Sequence, residues 1–277
     1  IIDTLFVKNA KKSLDKLSLR HRHYMKSEKY KGEIHFSTGS NTARSSSNFY
    51  ALNNGIATLF EIRGVGIGKT SFKRRINSGL AVGFSFLKTA YDNSLFIFDE
   101  IARANTYSND IVLEHKRSIY TDVVKAIDIE SNELIDFETT MHSSKDSHAI
   151  SKRDRPVAYI IKKNNFGFIE KLKDIGIEYV EIQKDTMIYS GSYRIVDYND
   201  NFKVYEKMKM QSVSTLIEYK DNMFTYGDIF ISMNQKRSNL IAELLEPEAP
   251  NSYVSFGIIK TSINSQLPIY RIKKFNY

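Results

Sequence analysis

At 277 residues, with 42% hydrophobic and 26% charged, the chain is long enough to bury a real core and, on a prior of roughly 150 residues per domain, to form about two domains. It contains no cysteine, which removes disulfides and thiolate metal sites, so that any metal must rest on His, Asp and Glu. The formal charge of +8 is spread along the chain in short clusters such as Lys73-Arg74-Arg75 and Lys273-Lys274, unlike the focused basic stripe of a nucleic-acid binder, and no run of about 18 apolar residues suggests a membrane span.

Residues 3–19 place Leu5, Phe6, Leu14 and Leu17 among lysines, the spacing of an amphipathic surface helix. Residues 20–31 are polar and are expected to be a helix end or loop. The small polar stretch 39–48, Gly-Ser-Asn-Thr-Ala-Arg-Ser-Ser-Ser-Asn, cannot pack as a core element and is expected to form a surface loop beside the strand that follows. That strand is the apolar run Ile56-Ala57-Thr58-Leu59-Phe60, which ends in Glu61 and turns on Gly64. Residues 71–91 then read as a long helix with Phe72, Ile76, Leu80, Phe84 and Leu87 on one buried face, with Gly79 and Gly83 allowing close approach to a sheet.

From about residue 111 the texture changes to short alternating runs, 111–113, 123–127 and 134–137, separated by Ser, Asn and Asp, as in strands. Residues 155–183 read as strand, helix around 166–174, a stop at Gly176, and a second strand at 178–182. More strands run to the end, and no internal repeat is present. A helical first part, 1–106, is therefore expected to meet a β-rich second part, 107–277.

Glu61 is the natural centre for a site, because packing alone does not ask for a charge at the carboxyl end of a buried strand. A structural pairing with Arg63 or a nearby lysine is the plainer alternative. The turn after it also suggests a phosphate-binding loop, Gly64-Val65-Gly66-Ile67-Gly68-Lys69-Thr70, with Leu95-Phe96-Ile97-Phe98-Asp99-Glu100 as a magnesium-binding strand. The pattern G-x-x-x-x-G-K-[ST] puts its first glycine at Arg63, where a side chain crowds the phosphate cradle. Residues 94–103 also suit a helix with Leu95, Phe98 and Ile101 inside. An NTPase stays open as an alternative.

The run from Asn48 through Tyr50, Leu52, Asn53 and Glu61-Ile62-Arg63-Gly64-Val65-Gly66-Ile67-Gly68, followed by Phe72-Lys73-Arg74-Arg75, resembles the zinc metallocarboxypeptidases of the carboxypeptidase A type, especially their bacterial branch. The resemblance continues in order through Arg155-Pro156-Val157-Ala158-Tyr159, Gln235, Leu244-Leu245-Glu246-Pro247-Glu248-Ala249-Pro250-Asn251-Ser252 and Pro268-Ile269-Tyr270-Arg271. It implies an α/β fold: the C-terminal part of a mixed-sheet zinc-carboxypeptidase domain, then a strand-rich α+β accessory domain. It further implies a peptide or protein substrate, Glu61 as general base, Tyr50 and Arg44 as substrate-binding candidates, and an extracytoplasmic location.

The same resemblance calls for a zinc site built from an early His-x-x-Glu pair and a later histidine, and the chain has no His-x-x-Glu. Its histidines are His21, His23, His35, His115, His142 and His148. His21-x-His23 offers two nitrogens without an acidic third ligand nearby, and His142 and His148 read as loop residues. No zinc ligand is therefore assigned in this chain; the zinc ligands are expected upstream of Ile1, consistent with an amino terminus that has neither an initiator Met nor a signal-peptide pattern. Either the parent protein is an active zinc carboxypeptidase and this part carries its base, or the piece is an inert fragment or peptide-binding pseudoenzyme. Side-chain preference and oligomeric state are not legible from spacing.

Overall fold

The computed structural model describes residues 1–64, 66–106, 109–200 and 204–274. Val65 of the glycine turn and the expected boundary at 107 lie outside them. A π-helical turn at Ile2–Val7 runs into α1 (Lys8–Asp15), and Phe6, Ala10 and Leu14, four residues apart, form its buried stripe. This is the amphipathic helix the lysine-and-leucine spacing predicts, although Leu17 remains exposed.

The polar stretch expected to be a loop holds a strand instead. β1 (Met25–Tyr30) pairs antiparallel with β2 (Glu33–Thr38), with Tyr30 opposite Glu33 across a two-residue turn. Both turn residues, Lys31 and Gly32, have positive φ, as a hairpin turn that matches strand twist requires. Apart from the half-buried Met25, β1 is exposed along its length, so an apolar alternation never marks it. The small polar stretch then leads into α2 (Ser46–Leu52), a helix that takes up the last residues of the expected loop.

The apolar run before Glu61 is irregular backbone, which corrects the expected strand. A strand needs a hydrogen-bonded neighbour to satisfy its peptide groups, and this run has none among the described residues. It lies along α3 (Phe72–Asp92), with the Phe60 and Phe86 rings 5.3 Å apart. The helix has the predicted extent, but the face it buries is not the predicted one. Val82, Ser85 and Thr89 are buried towards α1, where Asn9 Nδ2 donates to Thr89 Oγ1 at 3.1 Å, while Phe72, Ile76, Leu80, Phe84 and Leu87 are exposed. α4 (Ser94–Asn105) follows after a single residue; it buries Ile97 and leaves Leu95 and Phe98 exposed.

β3 (Ile111–Ile127) and β4 (Leu134–Arg153) form one long hairpin that contains the separate strands read from sequence. β2 lies parallel to β4, giving a four-stranded sheet in the order β1-β2-β4-β3. This sheet takes strands from both sides of residue 107.

The second sheet follows from β5 (Ala158–Ile161), α5 (Phe166–Asp174), β6 (Val180–Glu181) and β7 (Thr186–Asn199). The strand-helix-strand reading is borne out. α5 ends on Gly176, φ +72, with Ile177 N–H donating to Leu172 O and Gly176 N–H to Lys173 O, a Schellman cap whose Leu172 and Ile177 are both buried. A small hairpin, β8 (Val204–Tyr205) and β9 (Met208–Lys209), precedes β10 (Ser212–Phe224), β11 (Ile229–Ser232), α6 (Ser238–Leu245) and β12 (Gln266–Ile272). The six strands run antiparallel in the order β10-β7-β12-β5-β11-β6. β5 is buried at every residue, and the main core gathers Tyr159, Ile161, Leu172, Tyr193, Ile231 and Ile241 from this sheet and its two helices. The whole is a mixed α/β structure with several sheets.

Candidate active site

Glu61 sits in the irregular segment between α2 and α3, and its carboxylate is exposed. Among the described residues it has no hydrogen bond or ion pair, so the pairing with Arg63 does not form. The backbone on either side is nonetheless anchored to α3: Arg74 Nη2 donates to Arg63 O at 3.0 Å, and Ile62 Cδ1 lies 3.8 Å from where a Cβ on Gly79 would stand. Gly64 is buried against the Arg75 stem, and Gly66 and Gly68 both have positive φ, a region that admits glycine without a Cβ clash.

The phosphate-loop alternative loses its second half. Leu95–Glu100 lies within α4, not on a strand, and Glu100 accepts from Arg103 Nη2 at 2.7 Å one helical turn away. No strand presents Asp99 and Glu100 to the glycine turn, so the magnesium-binding arrangement is not built. The NTPase reading is set aside on that ground.

Arg44 is committed to structure. Its Nη1 donates to Asn251 Oδ1 at 2.7 Å, and its guanidinium lies over the Tyr205 and Phe256 rings at 4.0 and 5.5 Å. Asn251 Nδ2 in turn donates to Glu243 Oε1 at 2.6 Å. Burial pushes the Glu243 carboxyl above its ordinary value, and the Asn251 hydrogen bonds and the Arg44 charge only partly offset that. Tyr50 sits on α2, not at a strand edge, with an exposed ring. Among the described residues no contact joins Arg44 or Tyr50 to Glu61.

The histidines do not gather into a metal site. His21 Nε2 lies 2.8 Å from Asp15 Oδ1, and His23 Nε2 lies 3.1 Å from Lys11 Nζ. Burial, then the Lys145 and Lys11 charges, lower the His23 pKa. His142 and His148 lie on β4 and not in a loop; His142 Nε2 is 3.0 Å from His35 Nδ1, and the two rings stack at 5.2 Å. Among the described residues no group of three or more His, Asp or Glu is placed to hold a metal. The described residues of this chain do not by themselves fit a zinc ion.

What local reading missed is a buried charge network made by the Leu244–Ser252 landmark. Glu246 is fully buried; its Oε2 accepts from Arg153 Nη1 at 2.6 Å and its Oε1 from Tyr159 OH at 2.5 Å. Glu248 takes two further bonds from Arg153, at 2.8 and 3.0 Å, and accepts from the Thr215 amide and hydroxyl. Arg271, also fully buried, lies 4.0 Å from Glu246 and donates to Asp154. The available signal was two glutamates inside an otherwise apolar segment, which buried positions tolerate only when paired.

No protein-family model matches the chain, and no solved structure matches it. Curated relatives do. Carboxypeptidase 2 of Trichophyton equinum is 26% identical over 276 residues, covering 98% of this chain and 51% of the relative. Carboxypeptidase 2 of Trichophyton rubrum has the same identity and coverage. Probable carboxypeptidase 2 of Arthroderma benhamiae is 24% identical over 249 residues, 88% of this chain and 47% of the relative. The chain has a carboxypeptidase-type relationship. It spans about half the length of these relatives, all of them fungal.

Proposed function

We propose that this chain is part of a zinc-dependent metallocarboxypeptidase that hydrolyses peptide bonds, that Glu61 is its general base, and that the zinc ligands are carried by polypeptide beyond the chain. The observation that carries the reading is similarity along 98% of the chain to proteins named carboxypeptidase 2. Glu61 supports it as an exposed carboxylate with no hydrogen-bond or ion-pair partner among the described residues, at the point where the sequence resembles the family's base. In this role a Glu61 oxygen accepts a proton from the attacking water and returns it to the leaving amine. Arg44 would meet a substrate carboxylate through its guanidinium fork by giving up Asn251, and the exposed Tyr50 phenol would hydrogen-bond the substrate. In this reading the protein acts outside the cytoplasm, as its resemblance to the family implies.

The test is Glu61→Gln in the full-length protein. Turnover of a peptide substrate should fall by roughly 100-fold or more, the scale of general acid-base catalysis, with KM little changed. Turnover within tenfold of the parent would overturn the assignment. A second reading, an inert or peptide-binding pseudoenzyme, is favoured by the lack of a metal-ligating group among the described residues. Elemental analysis of the full-length protein separates the two: stoichiometric zinc supports the enzyme, and none supports the pseudoenzyme.

A further inference from the structure

Positive charge runs through the whole chain, but its balance does not. Residues 1–31 carry nine Lys and Arg against three Asp and Glu, so six of the eight net charges belong to this segment. The fold draws part of it round a hollow of about 410 Å³ lined by α1, the segment after it and β4. Lys8, Lys11 and Lys12 stand at i, i+3 and i+4 of α1, a like-charge arrangement on one helix face that costs a helix stability. Among the described residues none of the three is paired with a carboxylate, and Lys11 Nζ lies against His23 Nε2 at 3.1 Å. Lys145 adds a fourth ammonium from β4. The strand bulges there, with residues 144–147 facing Arg117 alone across the pair, and bulges of this kind re-aim side chains. Ser144 N–H pins the bulge to Thr38 Oγ1 and Ser143 Oγ pins it to Asp146 Oδ2, each at 2.7 Å. The two carboxylates at the hollow are already engaged: Lys145 Nζ lies 3.2 Å from Asp3 Oδ2, and His21 Nε2 lies 2.8 Å from Asp15 Oδ1.

We infer that this hollow is a binding site for a small anion carrying more than one phosphate group, a site independent of the proposed peptidase chemistry. The sign of the charge decides against a metal ion: four ammonium groups outnumber the two carboxylates, although His and Asp are metal-ligating residue types. The donor type decides for phosphate. Lysine meets a phosphate as a point charge and can do so from several directions, whereas planar, bidentate recognition of a carboxylate is the work of arginine, and among the described residues no arginine lines the hollow. Its volume lies within the roughly 300–1,000 Å³ of ligand pockets. The charge also converges on a hollow and does not run along a groove, as it does where a protein tracks a nucleic-acid backbone. His23 couples the site to protons. Lys145, Lys11, Asp3 and His21 surround it, and burial followed by the Lys145 and Lys11 charges lowers its pKa. An anion between Lys11 and His23 offsets those charges, so binding draws a proton onto the imidazole and affinity rises as pH falls.

The test is calorimetric titration of the full-length protein with pyrophosphate. It should show one saturable site, weakened about tenfold or more by Lys8→Ala with Lys12→Ala, both at exposed positions. Lys171→Ala with Lys173→Ala on α5 removes the same charge elsewhere and should change the affinity by less than about twofold. Citrate should bind about tenfold more weakly than pyrophosphate. Sulfate, whose charge is constant over this range, should bind more tightly at about pH 5.5 than at about pH 7.5, and the gain should shrink in His23→Gln. No saturable binding, equal losses in the two double variants, citrate as tight as pyrophosphate, or sulfate affinity flat with pH would each overturn the inference. So would single-stranded RNA that binds through Lys8 and Lys12 and is not displaced by pyrophosphate, which would make this face a nucleic-acid surface. Phosphatidylcholine vesicles with and without phosphatidylinositol bisphosphate identify the source of the phosphate: capture that pyrophosphate reverses assigns the site to a lipid headgroup, and pyrophosphate binding without capture assigns it to a soluble ligand.

Discussion

Replacing Arg153 with methionine keeps most of the side-chain stem and removes the cation from the buried network. Arg153 is 14% exposed and makes three bonds of 2.6–3.0 Å to Glu246 and Glu248, which are 0% and 20% exposed. Without it, Glu246 keeps Tyr159 and a cation only at 4.0 Å, and Glu248 keeps Thr215. Breaking a buried pair from one side costs about 3–5 kcal/mol, because the remaining charge stays desolvated. At roughly 2–4 °C per kcal/mol for a chain somewhat shorter than this one, Tm should fall by about 6–20 °C, read by thermal and urea unfolding. The pH dependence supplies a second readout. Burial pushes Glu248 up, but the Arg153 hydrogen bonds and charge and the Thr215 hydroxyl carry it below its ordinary 4.5. The unfolded chain then binds more protons in that window, so this contribution is fully present above pH 4.5 and is lost as pH falls through the folded value. Arg153→Met should flatten that acid slope. A loss under about 1 kcal/mol, the scale of an exposed ion pair, with the slope intact, would refute the reasoning.

Glu243→Gln should act in the opposite sense: with its folded pKa raised by burial, the native state binds more protons just above pH 4.5 and stability falls as pH rises through that window. The variant should therefore gain stability at neutral pH and match the parent below pH 4.5, as read from urea midpoints. Gly191→Ala would place a Cβ 2.7 Å from Ile217 Cγ2 and 2.8 Å from the Tyr219 ring, between β7 and β10, and should cost about 1–3 kcal/mol in thermal unfolding. Gly176→Ala forces a side chain into φ +72, 3.1 Å from the Arg237 guanidinium. It should cost about 1–2 kcal/mol, measured the same way.

The second sheet was legible because its signals are local. β5 is an unbroken apolar run, α5 has a helical period, and Gly176 stops it where a left-handed residue is required. β1 was hidden because Met-Lys-Ser-Glu-Lys-Tyr at a sheet edge has almost nothing to bury; the Lys31-Gly32 turn was the only cue. The candidate site was legible only as residue types. Nothing near Arg44 announces a hydrogen bond to Asn251, 207 residues away, and two glutamates in an apolar segment mark a buried network without naming Arg153 or Arg271 as their partners. A hydrophobic period likewise tells which residues share a side of α3, but not what lies against that side.

The two largest departures from the sequence reading, the missing strand before Glu61 and the exposed stripe of α3, occur in adjacent segments and have related physics. Phe72, Ile76, Leu80, Phe84, Leu87 and Tyr91 of α3 are 44–84% exposed, and at about 1.5–3 kcal/mol for the full burial of one such side chain the exposed part of the stripe holds roughly 6–11 kcal/mol of hydrophobic stabilisation that this fold does not use, comparable to the whole stability of a typical domain. The run Ile56-Ala57-Thr58-Leu59-Phe60 similarly has the composition of a strand and, among the described residues, no strand paired with it. Because none of the amides of residues 56–61 donates a backbone hydrogen bond among the described residues, their hydrogen exchange should run close to that of an open chain while the amides of β5 stay strongly protected; protection through 56–61 equal to that of β5 would show that this run is a paired strand after all.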